Sequence, residues 1–104
     1  MTADQQIEVL KALNNGTRLK ILGWLKEPTR NFGRQEVGDF QEDGVCVSLI
    51  QQKSGLSQST VSSYLALLTR AGLVKAKRVG QWTYYRRNEE AIRRFVDGLA
   101  ATLK

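Results

Sequence analysis

Apolar residues recur at helical spacing in several stretches of the chain, and in one place they alternate instead. Ile7, Leu10 and Leu13, with Val9 alongside, give Asp4 to Asn14 one apolar stripe, and Asn14-Asn15-Gly16 then breaks the pattern. Leu19, Ile21, Leu22 and Leu25 resume it until Glu27-Pro28, where the residue before proline is pushed out of the helical region. Asn15 suits the N-cap of this second helix, predicted over about residues 16–26, and Trp24 among its leucines reads as a core anchor. Between Pro28 and Gly44 no period is sustained: Arg30, Arg34, Glu36, Asp39, Glu42 and Asp43 mix with Phe32, Val37 and Phe40. A connection of that length in a small domain tends to be functional, mobile or to hide an element; partial order pinned by Phe32 or Phe40 is expected.

Residues 45–74 carry the most information. Val45, Leu49 and Ile50 run into Lys53-Ser54-Gly55, and a second stripe opens at Ser57 with Val61, Leu65 and Leu68. Gly55 can take the positive φ that ends one helix, and Ser57 can accept from the free N–H groups that begin the next. Two helices meeting at so tight a corner are the grammar of a helix-turn-helix. A solvated helix face ordinarily carries Glu and Lys, yet Gln58, Ser59, Ser62 and Ser63, with Thr60 and Tyr64, offer only hydroxyls, an amide and a phenol. Uncharged donors and acceptors of this kind suit base edges in a major groove, although they also describe a mediocre exposed helix.

The residues after this helix favour the groove. Leu73 to Arg78 alternates apolar with basic, Val79-Gly80-Gln81 supplies a turn, and Trp82-Thr83-Tyr84-Tyr85-Arg86 is rich in strand formers, which predicts a β-hairpin. Lys75, Lys77, Arg78 and Gln81 would then project from a ribbon beside the second helix of the pair; Lys on an exposed edge strand explains the charge but not its place in the order. Asn88 can cap a last helix with Glu89 and Glu90 in its first turn, and Ile92, Phe95, Val96, Leu99, Ala100 and Leu103 form a continuous stripe. A small helical core leaves little room for two end helices with full stripes, so Ile7 and Leu10 with Ile92, Phe95, Val96, Leu99 and Leu103 are expected at a dimer seam.

Composition narrows the function classes. The 104 residues fit a single domain over 1–104, and a net charge of +6 makes a polyanion a plausible partner. No apolar run nears the roughly 20 residues that span a bilayer and the N-terminus lacks a signal-peptide layout, so a cytoplasmic protein without membrane contact is expected. One Cys and no His leave neither a disulfide, nor the usual metal ligands, nor the commonest general base; neither a metal nor a cofactor nor an enzymatic activity is expected. Glu89-Glu90 reads as a dipole partner of its helix, not an acid/base pair. Cys46, at or near a helix start, is the one candidate redox residue, though Glu42 and Asp43 upstream disfavour a thiolate and an inert buried thiol is preferred.

The order helix, helix, helix-turn-helix, hairpin, helix resembles the winged helix-turn-helix repressors of the ArsR/SmtB family over nearly the whole chain. The resemblance is carried by Ala12 to Leu22, Leu56 to Ser62, Leu65, Leu68, Gly72-Leu73-Val74, Gly80 and Tyr84-Tyr85. It implies a mainly α fold with a β-hairpin (α-α-α-α-β-β-α), dimeric through the terminal helices. It also implies Gln58, Ser59, Thr60, Ser62, Ser63 and Tyr64 in the major groove of an operator, and a wing from Lys77 to Trp82, with Arg78 and Gln81, on the backbone or minor groove. In many such proteins an inducer releases the dimer; here the effector is unknown. The chain departs from the family at Gly16, where proline is usual, and at Ser63-Tyr64, where a His-containing pair is usual. Val45 to Leu49 resembles the metal-sensing box, but Ser48 stands where its second Cys would be, and the terminal-helix metal site needs His. A sequence-specific, dimeric DNA-binding repressor is therefore expected; the competing class is a winged-helix module that binds another protein.

Overall fold

In the computed structural model, which describes residues 1–104, helices and strands follow in the order α1 (Ala3–Leu13), α2 (Gly16–Lys26), α3 (Pro28–Phe32), β1 (Val45–Cys46), α4 (Val47–Ser54), α5 (Gln58–Arg70), β2 (Val74–Val79), β3 (Trp82–Arg87) and α6 (Glu89–Leu103). This is a mainly helical fold with a small antiparallel sheet of order β1-β3-β2.

The helix starts follow local chemistry. Thr2 and Gln5 form a reciprocal capping box on α1, and Asn15 and Asn88 accept from the backbone N–H groups of Arg18 and Ala91 at α2 and α6. At the corner of the helix pair Gly55 takes the left-handed conformation, with φ 70° and ψ 8°, and Ser57 Oγ accepts from the N–H of Thr60. The wing turns on Gly80 and Gln81 alone, with Val79 opposite Trp82. Gly80 has φ 62° at the first central position, as a type II′ hairpin turn requires.

Every helix of the motif is anchored by full burial. Val61, Leu65 and Leu68 of α5 and Ile50 of α4 are 0% exposed and pack with Ile21 and Leu25 of α2. Each contributes about 1.5–3 kcal/mol relative to exposure, which holds α5 in place whatever its polar face does. Arg87, at the end of β3, donates to the carbonyl of Leu22 at 3.2 Å and pairs with Glu89 through two nitrogens, so one largely buried guanidinium joins α2, β3 and α6.

The structure corrects the sequence reading in four places. Residues 28–44 are not one irregular loop: Pro28 opens the short α3, whose Phe32 meets Trp24 edge-on at 6.4 Å between ring centroids. Phe32 and Phe40 are both half-buried against the core. Second, Val45 belongs to a strand, not to the first helix of the motif. Residues 45–46 pair with Tyr85 and Tyr84 on the free edge of β3, a long-range partner that no local period announces. Third, the core-facing side of α1 is set by Val9, read only as flanking the stripe, and by Ala12, while Ile7 and Leu10 stay 49% and 40% exposed, where the expected seam needs them. Fourth, Phe95, expected at a dimer seam, is buried in the protomer's own core, because α6 turns Ala91 and Phe95 inward and leaves Val96 and Leu103 outside.

Candidate nucleic-acid interface

The buried stripe of α5 leaves one polar surface outside. Gln58, Ser59, Ser62 and Ser63 are exposed and fall at i, i+1, i+4 and i+5, one continuous arc beside the buried stripe of Val61, Leu65 and Leu68. No charged side chain interrupts this face until Arg70, in the helix's last turn.

Two expected members of that face are engaged elsewhere. Thr60 is half-buried, and its hydroxyl accepts from Ser57 Oγ at 2.9 Å as part of the cap. Tyr64 is half-buried on the flank that meets α2: its hydroxyl is 3.4 Å from Asn15 Nδ2, and the Arg18 guanidinium lies over its ring at 5.1 Å. Arg18 is in turn held by the carbonyls of Ala12 and Lys11 at the end of α1. The phenol thus sits in a clamp built from α1 and α2, which corrects its expected place in the groove. The cue was available in the sequence, since Asn15 and Arg18 bracket a helix start, but Asn15 meets Tyr64 across forty-nine positions.

On the wing, Lys75, Lys77, Arg78, Gln81 and Arg86 are all exposed. Lys77 is not a free cation: its Nζ lies 2.6 Å from Asp43 Oδ1, and the Lys77 hydrogen bond, ahead of a bond from the N–H of Asp39, holds the Asp43 carboxyl below its ordinary range. Arg78 donates to the carbonyl of Gly80 within its own turn. Lys75 and Arg86 stand directly opposite each other across β2 and β3. Like charges facing across a ladder destabilise it, so this pair, of which only Arg86 was not expected on the wing, favours a nearby anion, and the Asp43 carboxylate already feels the Arg86 charge. A rule that counts only the projecting positions of one strand misses Arg86.

No three Cys, Asp or Glu side chains converge to hold a metal. Cys46 stands at the N-cap of α4, buried, and its Sγ faces Ser48 Oγ at 3.3 Å, where a second thiol would be needed for a soft metal. No helix is long and apolar enough to cross a membrane.

A tight helix pair, an uncharged polar face on its second helix and a basic two-stranded ribbon beside it define a winged helix-turn-helix domain. The chain is 55% identical over 95 residues to an uncharacterised HTH-type transcriptional regulator, YbzH, of Bacillus subtilis, a match that spans 91% of this chain and 95% of that one. The solution structure of a homodimeric winged helix-turn-helix DNA-binding domain from Mycobacterium bovis, described as a possible ArsR-family transcriptional regulator, superposes with a TM-score of 0.66 at 33% identity and covers 95% of this chain and 79% of that one. An ArsR-like transcriptional regulator from Rhodococcus superposes with a TM-score of 0.70 at 22% identity over 95% of this chain and 79% of its own, a likeness of fold alone. No protein-family model matches the chain. The chain belongs to the ArsR family of winged helix-turn-helix transcriptional regulators.

Proposed function

We propose that this chain is a dimeric repressor that binds an operator in double-stranded DNA and is released by a signal. The observation that carries the reading is the exposed face of Gln58, Ser59, Ser62 and Ser63 on a helix whose other side is locked into the core. Such a face reads bases, because its donors and acceptors are uncharged and short enough to follow a groove floor. Lys75 and Arg86, with Arg78 and Gln81 at the tip, act on the phosphate backbone, which sets register and affinity without carrying sequence information.

The partner in the dimer is a second copy. Ile7 and Leu10 on α1 and Val96 and Leu103 on α6 leave apolar side chains exposed on the two terminal helices, and these helices pack closely where Gly98 meets Gln6. Ile92 and Leu99, half-buried against the protomer's own core, flank that surface. A two-fold dimer presents two α5 helices, so half-sites are spaced by about one turn of DNA or a multiple of it.

The test is a titration of duplex DNA from around the protein's own gene at several salt concentrations, followed by footprinting. If the dimer neutralises about six phosphates, affinity falls on the order of a thousandfold between about 50 and about 200 mM salt, and a symmetric footprint appears. Binding that is flat with salt, or absent on every duplex, removes the DNA reading and leaves a module that binds protein.

A further inference from the structure

Between the connection that follows α3 and the wing lies a cavity of about 350 Å³, within the ~300–1,000 Å³ span of small-molecule sites. Its walls come from three places far apart in sequence: Val37 from the connection, Cys46, Ser48 and Leu49 from the start of α4, and Trp82 and Tyr84 from β3. A larger space of about 550 Å³ against α1, the end of α5 and α6 is lined mainly by polar and charged side chains, among them Gln5, Glu8, Arg70, Asn88 and Arg94.

The cavity is held open by the fold. Gln35 donates through Nε2 to the carbonyl of Gly44 at 3.0 Å and accepts from the N–H of Cys46 at 2.8 Å, so its amide ties the connection to β1 as an extra strand would. Gly38, at φ 85°, lies against the ring of Tyr84; a Cβ there would come within 2.9 Å of Tyr84 Cε1. A preformed site avoids the ordering cost that a collapsing loop would impose on a ligand.

Its lining has a definite chemistry. Trp82 is 45% exposed and Val37 60% exposed, so a large aromatic ring and an aliphatic group line the cavity with apolar area still in water. Ser48 and Cys46 contribute a hydroxyl and a thiol. Arg34 and Glu36 also line it, one cation and one anion, so the site has no net charge to favour an ion. The lining joins the N-cap residue of α4 to the first residue of the wing's second strand, so an occupant touches the helix pair and the wing at once.

We propose that this cavity is an effector site for a small, uncharged, planar aromatic molecule of one or two rings, which stacks on Trp82, hydrogen-bonds Ser48 and alters operator affinity by bearing on α4 and β3 together. The second half of this inference rests on the DNA-binding reading; the first half does not.

The test uses the full chain, with indole, quinoline and 2-naphthol as probes. Cys46 is the only thiol and, though only 9% exposed, lines the cavity, so its slow alkylation by iodoacetamide, followed by mass spectrometry, reports occupancy when set beside the cavity variants. A probe with a Kd on the order of 0.1 mM slows that reaction about tenfold at 1 mM. Calorimetry with the same probes gives an independent reading. Val37→Phe fills the cavity and Trp82→Ala removes the stacking ring, both at exposed positions, and each should abolish protection and the calorimetric signal. Failure of all three probes to bind overturns the site, as does binding that both variants leave unchanged. In duplex titrations the bound probe should shift affinity severalfold in the unmutated chain and not in Val37→Phe; occupancy without such a shift overturns the effector role. A chain that binds no duplex at all refutes the DNA reading while the alkylation and calorimetry still decide the site.

Discussion

The ammonium of Lys77 and the carboxylate of Asp43 meet at 2.6 Å across thirty-four positions, joining the wing to the connection that precedes β1. Asp43 is fixed in turn: its second oxygen accepts from the N–H of Asp39, whose own carboxylate accepts from the N–H groups of Gln41 and Glu42. A side chain chosen from sequence as a free cation is thus held by an acid. Asp43→Asn should release it, so that duplex affinity rises and the slope of log affinity against log salt steepens by about one contact per protomer. An unchanged slope in anisotropy titrations would show that Lys77 does not reach the backbone even when freed.

The same pair predicts a pH dependence. Lys77 holds the Asp43 carboxyl below its ordinary value of 3.8, so the folded state binds that proton less readily than the unfolded chain. The resulting stability is fully present above 3.8 and is lost as pH falls through the lower, folded value. Denaturant midpoints of the unmutated protein and Asp43→Asn should differ by a constant amount at neutral and mildly acidic pH and converge in stronger acid. A difference that grows with acidity would contradict the assignment.

Base reading is expected to reside in Gln58 and its neighbours. Gln58→Ala should relax preference at one half-site position and cost roughly 1–3 kcal/mol on the preferred sequence. Replacing Lys75 and Arg86 should weaken all duplexes alike. If Gln58→Ala also lowers affinity equally on every sequence, that residue positions the protein instead of reading the base.

Tyr64 separates a structural role from a recognition role. Tyr64→Phe removes only the long contact to Asn15 and keeps the ring beneath Arg18, so stability should change by less than about 1 kcal/mol with operator preference intact. Tyr64→Ala should destabilise by about 2 kcal/mol in urea unfolding, since a half-buried ring and its cation are lost. A changed base preference in Tyr64→Phe would return the phenol to the groove.

For the dimer, Val96→Glu is the informative change, because Val96 is exposed in the protomer and its replacement leaves the core intact. A carboxylate buried at the seam costs several kcal/mol, and light scattering should then show a monomer. An unmutated protein that is already monomeric at micromolar concentration removes the seam altogether.

Much of this architecture was legible because it is local. Gly55 and Ser57 make their corner by backbone conformation and capping, Gly80 by a two-residue turn, and Asn15 and Asn88 by capping the next helix, all within a few residues. Illegible features are those settled by a distant partner. β1 is two residues long and exists because β3 has an open edge and Gln35 lends an amide; Tyr64 turns inward because Arg18 is waiting there. The core face of α1 was missed for another reason. Its apolar residues cover more than one face; Ile7 and Leu10 were legible as outward-facing, but no local signal says that Val9 with the small Ala12 makes the core contact.

The strand at Val45 and Cys46 leads straight into α4, and it is bonded to the inner strand of the wing. At the junction a Cβ on Gly44 would collide with the backbone carbonyl of Tyr85, so the two chains touch with no slack. The base of the ribbon is therefore tied to the strand that opens α4, and the spacing between α5 and the wing is set at that junction. DNA whose groove width differs from that setting has to be bent or compressed to fit, and the energy of doing so depends on which base steps lie in between. Operators of this protein should then be selected partly for flexibility at positions no side chain touches.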